Sequence, residues 1–168
     1  MFNRRKAPLR GRLRPALPVE GATRAPVNMI EITDKPIEVW KVLQSVLSER
    51  AGALVHFIGT VRREGGLSGL FYECYPEMAS RLLEEIAEGA RGKWPVEGIS
   101  IVHRTGWVAV GEPSVVIAVS SPHRREAFAA CQFVMDQIKA VAPIWKRDLP
   151  FSRVSEYWLD RIKHAENF

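Results

Sequence analysis

The stretch that decides the reading is Ser120–Asp148, SSPHRREAFAACQFVMDQIKAVAPIWKRD. It opens with a helix start signal, Ser121 as N-cap and Pro122 at the first helical position, where a missing N–H costs nothing. It closes at Pro143, which biases Ala142 away from helical backbone. Between them Phe128, Cys131, Met135 and Ile138 recur at helical spacing and predict one apolar stripe. Lys139 falls one turn beyond Met135, on or beside that stripe, where an ammonium is costly unless it faces a cleft or a partner. His123-Arg124 stand in the first turn, where the macrodipole disfavours cations. Lys146-Arg147 follow directly on the Pro143 break.

Working outward, Val115–Ser120 is apolar at alternate and intervening positions, the pattern of a strand buried on both faces. Ile99–His103 reads as another strand, with a turn or short strand over Gly106–Gly111. Pro76 starts a helix with Met78, Leu82, Ile86 and Ala90 on one stripe, ending near Gly92. Ala51–Arg62 alternates as a strand, Leu70–Tyr75 returns from it, and REGGLSG between them is a glycine-rich loop. Near the start, Met29–Thr33 is a short strand, and Asp34 caps a helix whose apolar positions are Val39/Trp40, Leu43 and Val46/Leu47. A short strand is expected around Trp145-Lys146. The order βαββαβββα lacks the regular alternation of a doubly wound fold, so the predicted class is α+β, a mainly antiparallel sheet covered by helices.

At 168 residues, with 46% hydrophobic and 26% charged side chains, the chain suits one globular domain with a full core. No apolar run approaches the ~20 residues that a membrane helix needs. Cys74 and Cys131 make neither a disulfide framework nor a metal-ligand spacing, so both are expected as core packing in a reducing cytoplasm. The net charge of +5 is concentrated in residues 1–28, where seven basic side chains face one acidic, so residues 29–168 carry −1. Those first 28 residues are rich in Arg and Pro and show no sustained period, which predicts a disordered basic tail ahead of a single domain over 29–168. A targeting peptide, a basic arm and an upstream extension before a start at Met29 all remain open for it; the extension is the reading adopted.

The sites that chemistry usually marks are missing. There is no G-x-x-x-x-G-K-[ST] or G-x-G-x-x-G loop, no G-x-S-x-G elbow, and the four histidines show no i, i+4 pairing. His56 and His103, on strands, read as structural histidines. What stands out is an excess of cations at special places. First-turn N–H groups with Arg124 would suit an anion, Arg62 ends a strand beside a loop, and Lys139 and Lys146-Arg147 flank a helix break. Solvated helix ends explain the same residues in a blander way. Arg124 and Lys139 are about 22 Å apart along one helix at 1.5 Å per residue. If both serve one small ligand, a second protomer must bring one of them across, as a two-fold dimer does.

The segments FIGTVR (Phe57–Arg62), YECYPEM (Tyr72–Met78), HRTG (His103–Gly106), SPHR (Ser121–Arg124) and MDQIKAVAPIWKR (Met135–Arg147) resemble the large, catalytic subunit of molybdopterin synthase. The resemblance runs in order from about Met29 to Trp158. It implies a hammerhead-like α+β domain that forms the central two-fold dimer of a heterotetramer. The implied activity is sulfur transfer, which converts cyclic pyranopterin monophosphate into the molybdopterin dithiolene. The implied sulfur donor is a small ubiquitin-like partner whose C-terminal Gly-Gly thiocarboxylate enters the large subunit's pocket. No metal or other cofactor is implied for this step.

Substrate contacts carried over by the resemblance fall on Thr60, Val61, Arg62, His123, Arg124, Lys139, Lys146, Arg147 and Asp148. Lys139 matches the key catalytic lysine, with Lys146 in support. Thr60 stands where an arginine is common and Asp148 where a glutamate is usual, so backbone or secondary contacts are expected of them. A contribution from Arg161 is left open. The residue types suit the reaction: clustered cations bring together two anions, and a lysine partly desolvated among them can move protons. Two other readings stay in view. One is a non-enzymatic dimeric module binding an anion or nucleic acid, which the near-neutral domain disfavours. The other is a catalytically dead paralogue kept as a scaffold, against which Lys139 and Lys146 both count.

Overall fold

A computed structural model describes residues 26–147. Its elements run β1 (Ile30–Thr33), α1 (Val39–Ser45), β2 (Ala53–Thr60), β3 (Gly69–Cys74), α2 (Pro76–Arg91), β4 (Gly98–Arg104), β5 (Gly106–Ala109), β6 (Pro113–Ser121), α3 (Arg124–Val141) and β7 (Ile144–Arg147). The α+β class and the order of elements match the sequence reading. The strands, however, divide into two sheets. One is four-stranded with order β1-β4-β6-β2, the other three-stranded with order β5-β3-β7. Pairing is antiparallel except between β1 and β4, which run parallel.

Strand β6 is the spine of the larger sheet, because both its faces are apolar. Val115, Ile117 and Val119 pack with Leu83, Ile86, Ala130 and Val134 of α2 and α3, while Val116 and Ala118 pack with Val42 of α1 and its C-cap Val46 on the opposite face. Alternation with period two sends successive side chains to opposite faces, so one strand anchors three layers.

The helix stripes keep Ile86, Ala90, Cys131 and Ile138 as the spacing predicts, but at the other positions the buried residue is the neighbour of the expected one. In α2 the buried residues are Ala79, Leu83, Ile86, Ala87 and Ala90, and Met78 is exposed. In α3 they are Ala127, Ala130, Cys131, Val134 and Ile138, and Phe128 is 62% exposed. Small alanines share these buried faces with Leu83, Ile86, Val134 and Ile138, which pack in one core cluster.

The helix starts move too. His123, with extended backbone, is the N-cap of α3, while Ser121 still belongs to β6 and donates its hydroxyl to Pro95 O at 2.9 Å. The chain therefore uses Ser121 to tie the strand to the loop after α2 rather than to cap the helix. Likewise Glu38, not Asp34, precedes α1, and Trp40 of that helix is exposed.

At its other end α3 stops as Pro143 requires: Ala142 leaves the helix with φ −69° and ψ 130°. Residues ahead of Met29 also take part in the packed domain. Asn28 Oδ1 accepts a hydrogen bond from Ile99 N at 2.9 Å, and Met29 N donates to Ser100 Oγ at 2.8 Å. Among the described residues no helix is long and apolar enough to cross a membrane.

Candidate active site

A bulge and a helix stop build the candidate site. In β2 the register against β6 shifts between Gly59 and Thr60, so that Thr60 faces Pro113. Gly59 is required there, since a Cβ would stand 2.6 Å from Val115 Cγ1. Such an irregularity turns the strand end away from its ladder, and it aims Thr60–Arg62 toward the C-terminal end of α3. From the other side, the Pro143 stop lets β7 pair with β3, setting Lys146 opposite Tyr72.

The result is a cleft of about 700 Å³, lined among others by Thr60, Val61, Arg62, Tyr72, Lys139 and Lys146. Phe57, Leu70, Met135 and Ile138 supply apolar wall. A neighbouring cleft of about 790 Å³ shares Tyr72 and Lys146 and extends past Cys74, Tyr75 and Trp145. Lys146 thus stands on the rim between two hollows. Arg62, Lys139 and Lys146 line the first cleft with Glu64 and an apolar wall, a net positive arrangement suited to an anionic, partly apolar molecule.

Lys139 is exposed along the cleft wall, so the expected partial desolvation is not met within one chain. The residue that holds the buried stripe beside it is Ile138. Arg62 donates from Nε to Glu64 Oε1 at 2.7 Å, an exposed pair at the loop mouth. Val61 is buried, its N–H bonded to Glu112 O at 3.1 Å and its carbonyl accepting from Gly111 N at 2.8 Å. It fixes the strand end more than it offers a contact. Thr60 is exposed at the cleft.

Arg147 turns to the second cleft and pairs with Glu73 at 3.0 Å. His123 and Arg124 are not in either hollow. They border a separate depression with Gly52 and Pro122, at the far end of the continuous helix α3 from Lys139. Asp148 and Arg161 lie outside the described residues. Cys131 is buried, which pushes its thiol up to about 11, whereas Cys74 is only half-buried and lines the second cleft, its thiol also raised by burial. Among the described residues no group of three or more His, Cys, Asp or Glu side chains gathers to hold a metal.

Two residues of the cleft escaped the sequence reading. Tyr72 and His103 meet there edge to face, with ring centroids 5.5 Å apart. Both lie in the quoted segments YECYPEM and HRTG, but an isolated histidine on an apolar strand carries no spacing signal. Only the pairing of β3 with β5, which follows β4 after one residue, brings the two rings together.

The family model described as MoaE protein matches residues 32–141. The chain belongs to the MoaE family. Its curated relatives in the family include molybdopterin synthase catalytic subunits from Thermoplasma volcanium, 42% identical over 71% of this chain and 90% of that protein, and from Arabidopsis thaliana, 43% identical over 83% and 72%. A solved MoaE-family structure, molybdopterin synthase from Staphylococcus aureus, superposes with a TM-score of 0.68 at 38% identity, covering 71% of this chain and 90% of that one. At 24% identity and a TM-score of 0.64, the fold is also shared with a complex of subunits 1 and 2 of the molybdopterin-converting factor from Helicobacter pylori, over 72% of this chain and 84% of that one.

Proposed function

We infer that this chain is the catalytic subunit of a molybdopterin synthase, a sulfurtransferase of molybdenum cofactor biosynthesis. It takes sulfur from the C-terminal thiocarboxylate of a small ubiquitin-like subunit and delivers it to cyclic pyranopterin monophosphate, forming the dithiolene of molybdopterin. Family membership across most of the domain supports the reaction. The observation that carries the site is the cleft where Arg62, Lys139 and Lys146 converge between apolar walls.

Both reactants are anions, and bringing them together in water is opposed by their charge. Fixed cations offset that repulsion, and more strongly as the cleft is closed off from solvent. Lys139, next to the apolar floor made by Met135 and Ile138, is assigned the proton transfers that accompany thiolation and hydrolysis of the acyl intermediate. Lys146, opposite Tyr72, holds the negative charge of the incoming thiocarboxylate or of the pterin side. Thr60, Arg62 and Arg147 bind at the margins, and Asp148 follows directly on β7.

His123 and Arg124 are assigned to the substrate phosphate in the partner's site. With Arg124 at the first position of α3 and Lys139 about 22 Å further along its axis, one chain cannot present both to a small ligand. A two-fold dimer can. Among the described residues β2 is an edge strand, and with exposed Phe57, Ile58 and Phe128 it gives such a dimer apolar surface to cover. The dimer would form the centre of a heterotetramer with two small subunits. A cytoplasmic setting fits two free thiols.

The test is reconstitution from purified chain, a thiocarboxylated small subunit and cyclic pyranopterin monophosphate. Molybdopterin should form, and Lys139→Ala should lower turnover by at least about 100-fold, the usual scale of a lost acid/base, with fold and dimer intact. Lys146→Ala should impair turnover less. Absence of product from the wild-type chain would overturn the function, and near-normal turnover by Lys139→Ala would overturn that residue's role.

A further inference from the structure

His103 is a buried imidazole in the cleft wall for which the reaction above has no use. It is only 6% exposed, yet it lines the hollow that holds Lys139 and Lys146. Its Nδ1 lies 2.9 Å from Arg104 O. A carbonyl oxygen only accepts, so the proton of the neutral ring sits on Nδ1 and Nε2 is left as an acceptor.

The support behind that geometry is rigid. Arg104 donates to Glu112 Oε2 at 2.7 Å, the same oxygen receives Ala109 N at 3.2 Å, and Tyr72 packs edge to face on the imidazole. Nε2 has no hydrogen-bond partner among the described residues, and it is not among their fully enclosed, unsatisfied side-chain atoms. The hollow that His103 lines is where a partner for Nε2 can come from. Burial holds the ring's pKa below the ordinary value of 6.5, with a smaller upward pull from the Arg104 carbonyl, so the ring is neutral at pH 7.

We propose that His103 is a substrate-binding residue whose Nε2 accepts a hydrogen bond from an N–H or O–H donor of the bound heterocycle. The cleft's lysines and Arg62 can only donate. They can hold the anionic groups of a ligand but cannot read its own donor edge. A pterin carries ring and amino N–H groups, and burying such a donor without an acceptor is unfavourable. Glu64, Thr60, Ser114 and Tyr72 also line the cleft and can accept. But His103 is the buried, neutral acceptor whose ring is held in place by the Arg104 carbonyl, and so it helps to select the heterocycle and its orientation where the cations select only charge. The inference rests on the pterin-phosphate reading of the cleft.

Two substitutions separate this role from a purely structural one. His103→Asn keeps a donor where Nδ1 stands and so can preserve the Arg104 carbonyl bond, but it withdraws from the cleft. His103→Gln places an amide oxygen near Nε2 and gives up the bond to Arg104. Binding of cyclic pyranopterin monophosphate to the full chain is measured by calorimetry, with KM and kcat from reconstituted turnover. His103→Asn should weaken binding and raise KM roughly 3- to 10-fold, the scale of one lost hydrogen bond, with His103→Gln within about twofold of wild type. Binding by His103→Gln as weak as or weaker than that of His103→Asn would overturn the proposal.

A measurement on the wild type stands independently of how either variant folds. In 15N-histidine-labelled chain, the His103 Nε2 resonance should be that of an unprotonated nitrogen and should move when the pterin phosphate is added. If the wild type binds the pterin phosphate and this resonance stays still, the His103 role is overturned while the functional reading stands. If the wild type binds none, the functional reading fails and carries this proposal with it.

Discussion

At the level of single residues, the site's character comes from which polar groups already have partners. Arg62 is engaged by Glu64 and Arg147 by Glu73, so neither is a bare charge waiting for a ligand, and an incoming anion competes with a carboxylate. Those partners are two positions away along a loop and across a strand pair, where sequence spacing shows little. His103 illustrates the same limit. Its strand position was legible, but the neutral ring set by burial and by the Arg104 carbonyl was not.

That burial has a consequence for stability. A histidine with a folded-state pKa below its unfolded value binds fewer protons when folded, so it contributes stability that is present above the unfolded pKa and lost as pH falls through the folded one. Wild-type chain should therefore lose stability as pH drops below about 6.5, starting from the ordinary value of the group, and His103→Gln should lack that component. Denaturant titrations of both at several pH values between 7.5 and 5 check it. Parallel pH profiles would contradict the assignment of a buried neutral ring.

Among the helices and strands, most of the architecture could be read from punctuation. Pro143 ends α3, Pro76 begins α2, Gly92 caps it, and the doubly apolar β6 lies at the centre. Large apolar residues marked the helix faces only in part: Ile86 and Ile138 are buried as the spacing predicts, but Met78 and Phe128 are exposed while Ala79, Ala87, Ala127 and Ala130 are not exposed at all. Alanine is a weak hydrophobic signal in a sequence but the right residue where two helices meet closely.

The division into two sheets was also illegible, since strand periodicity says nothing of which strand pairs with which. A contrast of substitutions tests the observed faces. Ala130→Leu should cost about 1–3 kcal/mol through overpacking of the core, and Met78→Ala, on the exposed side, should stay within about 0.5 kcal/mol. Chemical denaturation measures both, and the reverse order would restore the stripe drawn through the large residues.

Across the whole molecule, the candidate site is split. Thr60, Arg62, Lys139 and Lys146 gather at one end of α3, and His123 and Arg124 stand at the other. The separation follows from sequence spacing and the helical rise alone; what the fold adds is that α3 is one unbroken helix of 18 residues, so no kink brings its ends together. A working site, on this reading, takes its phosphate-binding end from one chain and its lysines from the other.

The direct measurement is complementation between two inactive chains. Arg124→Ala and Lys139→Ala homodimers should each be inactive in the reconstituted reaction. After subunit exchange, confirmed independently by mass, each mixed dimer should contain one site with wild-type Arg124 and Lys139 and one site with both lesions. Equal mixing makes about half the dimers mixed, so activity should recover to roughly a quarter of wild type under two-fold symmetry. No recovery despite confirmed exchange would mean that each site is built within a single chain, and the shared site would have to be abandoned.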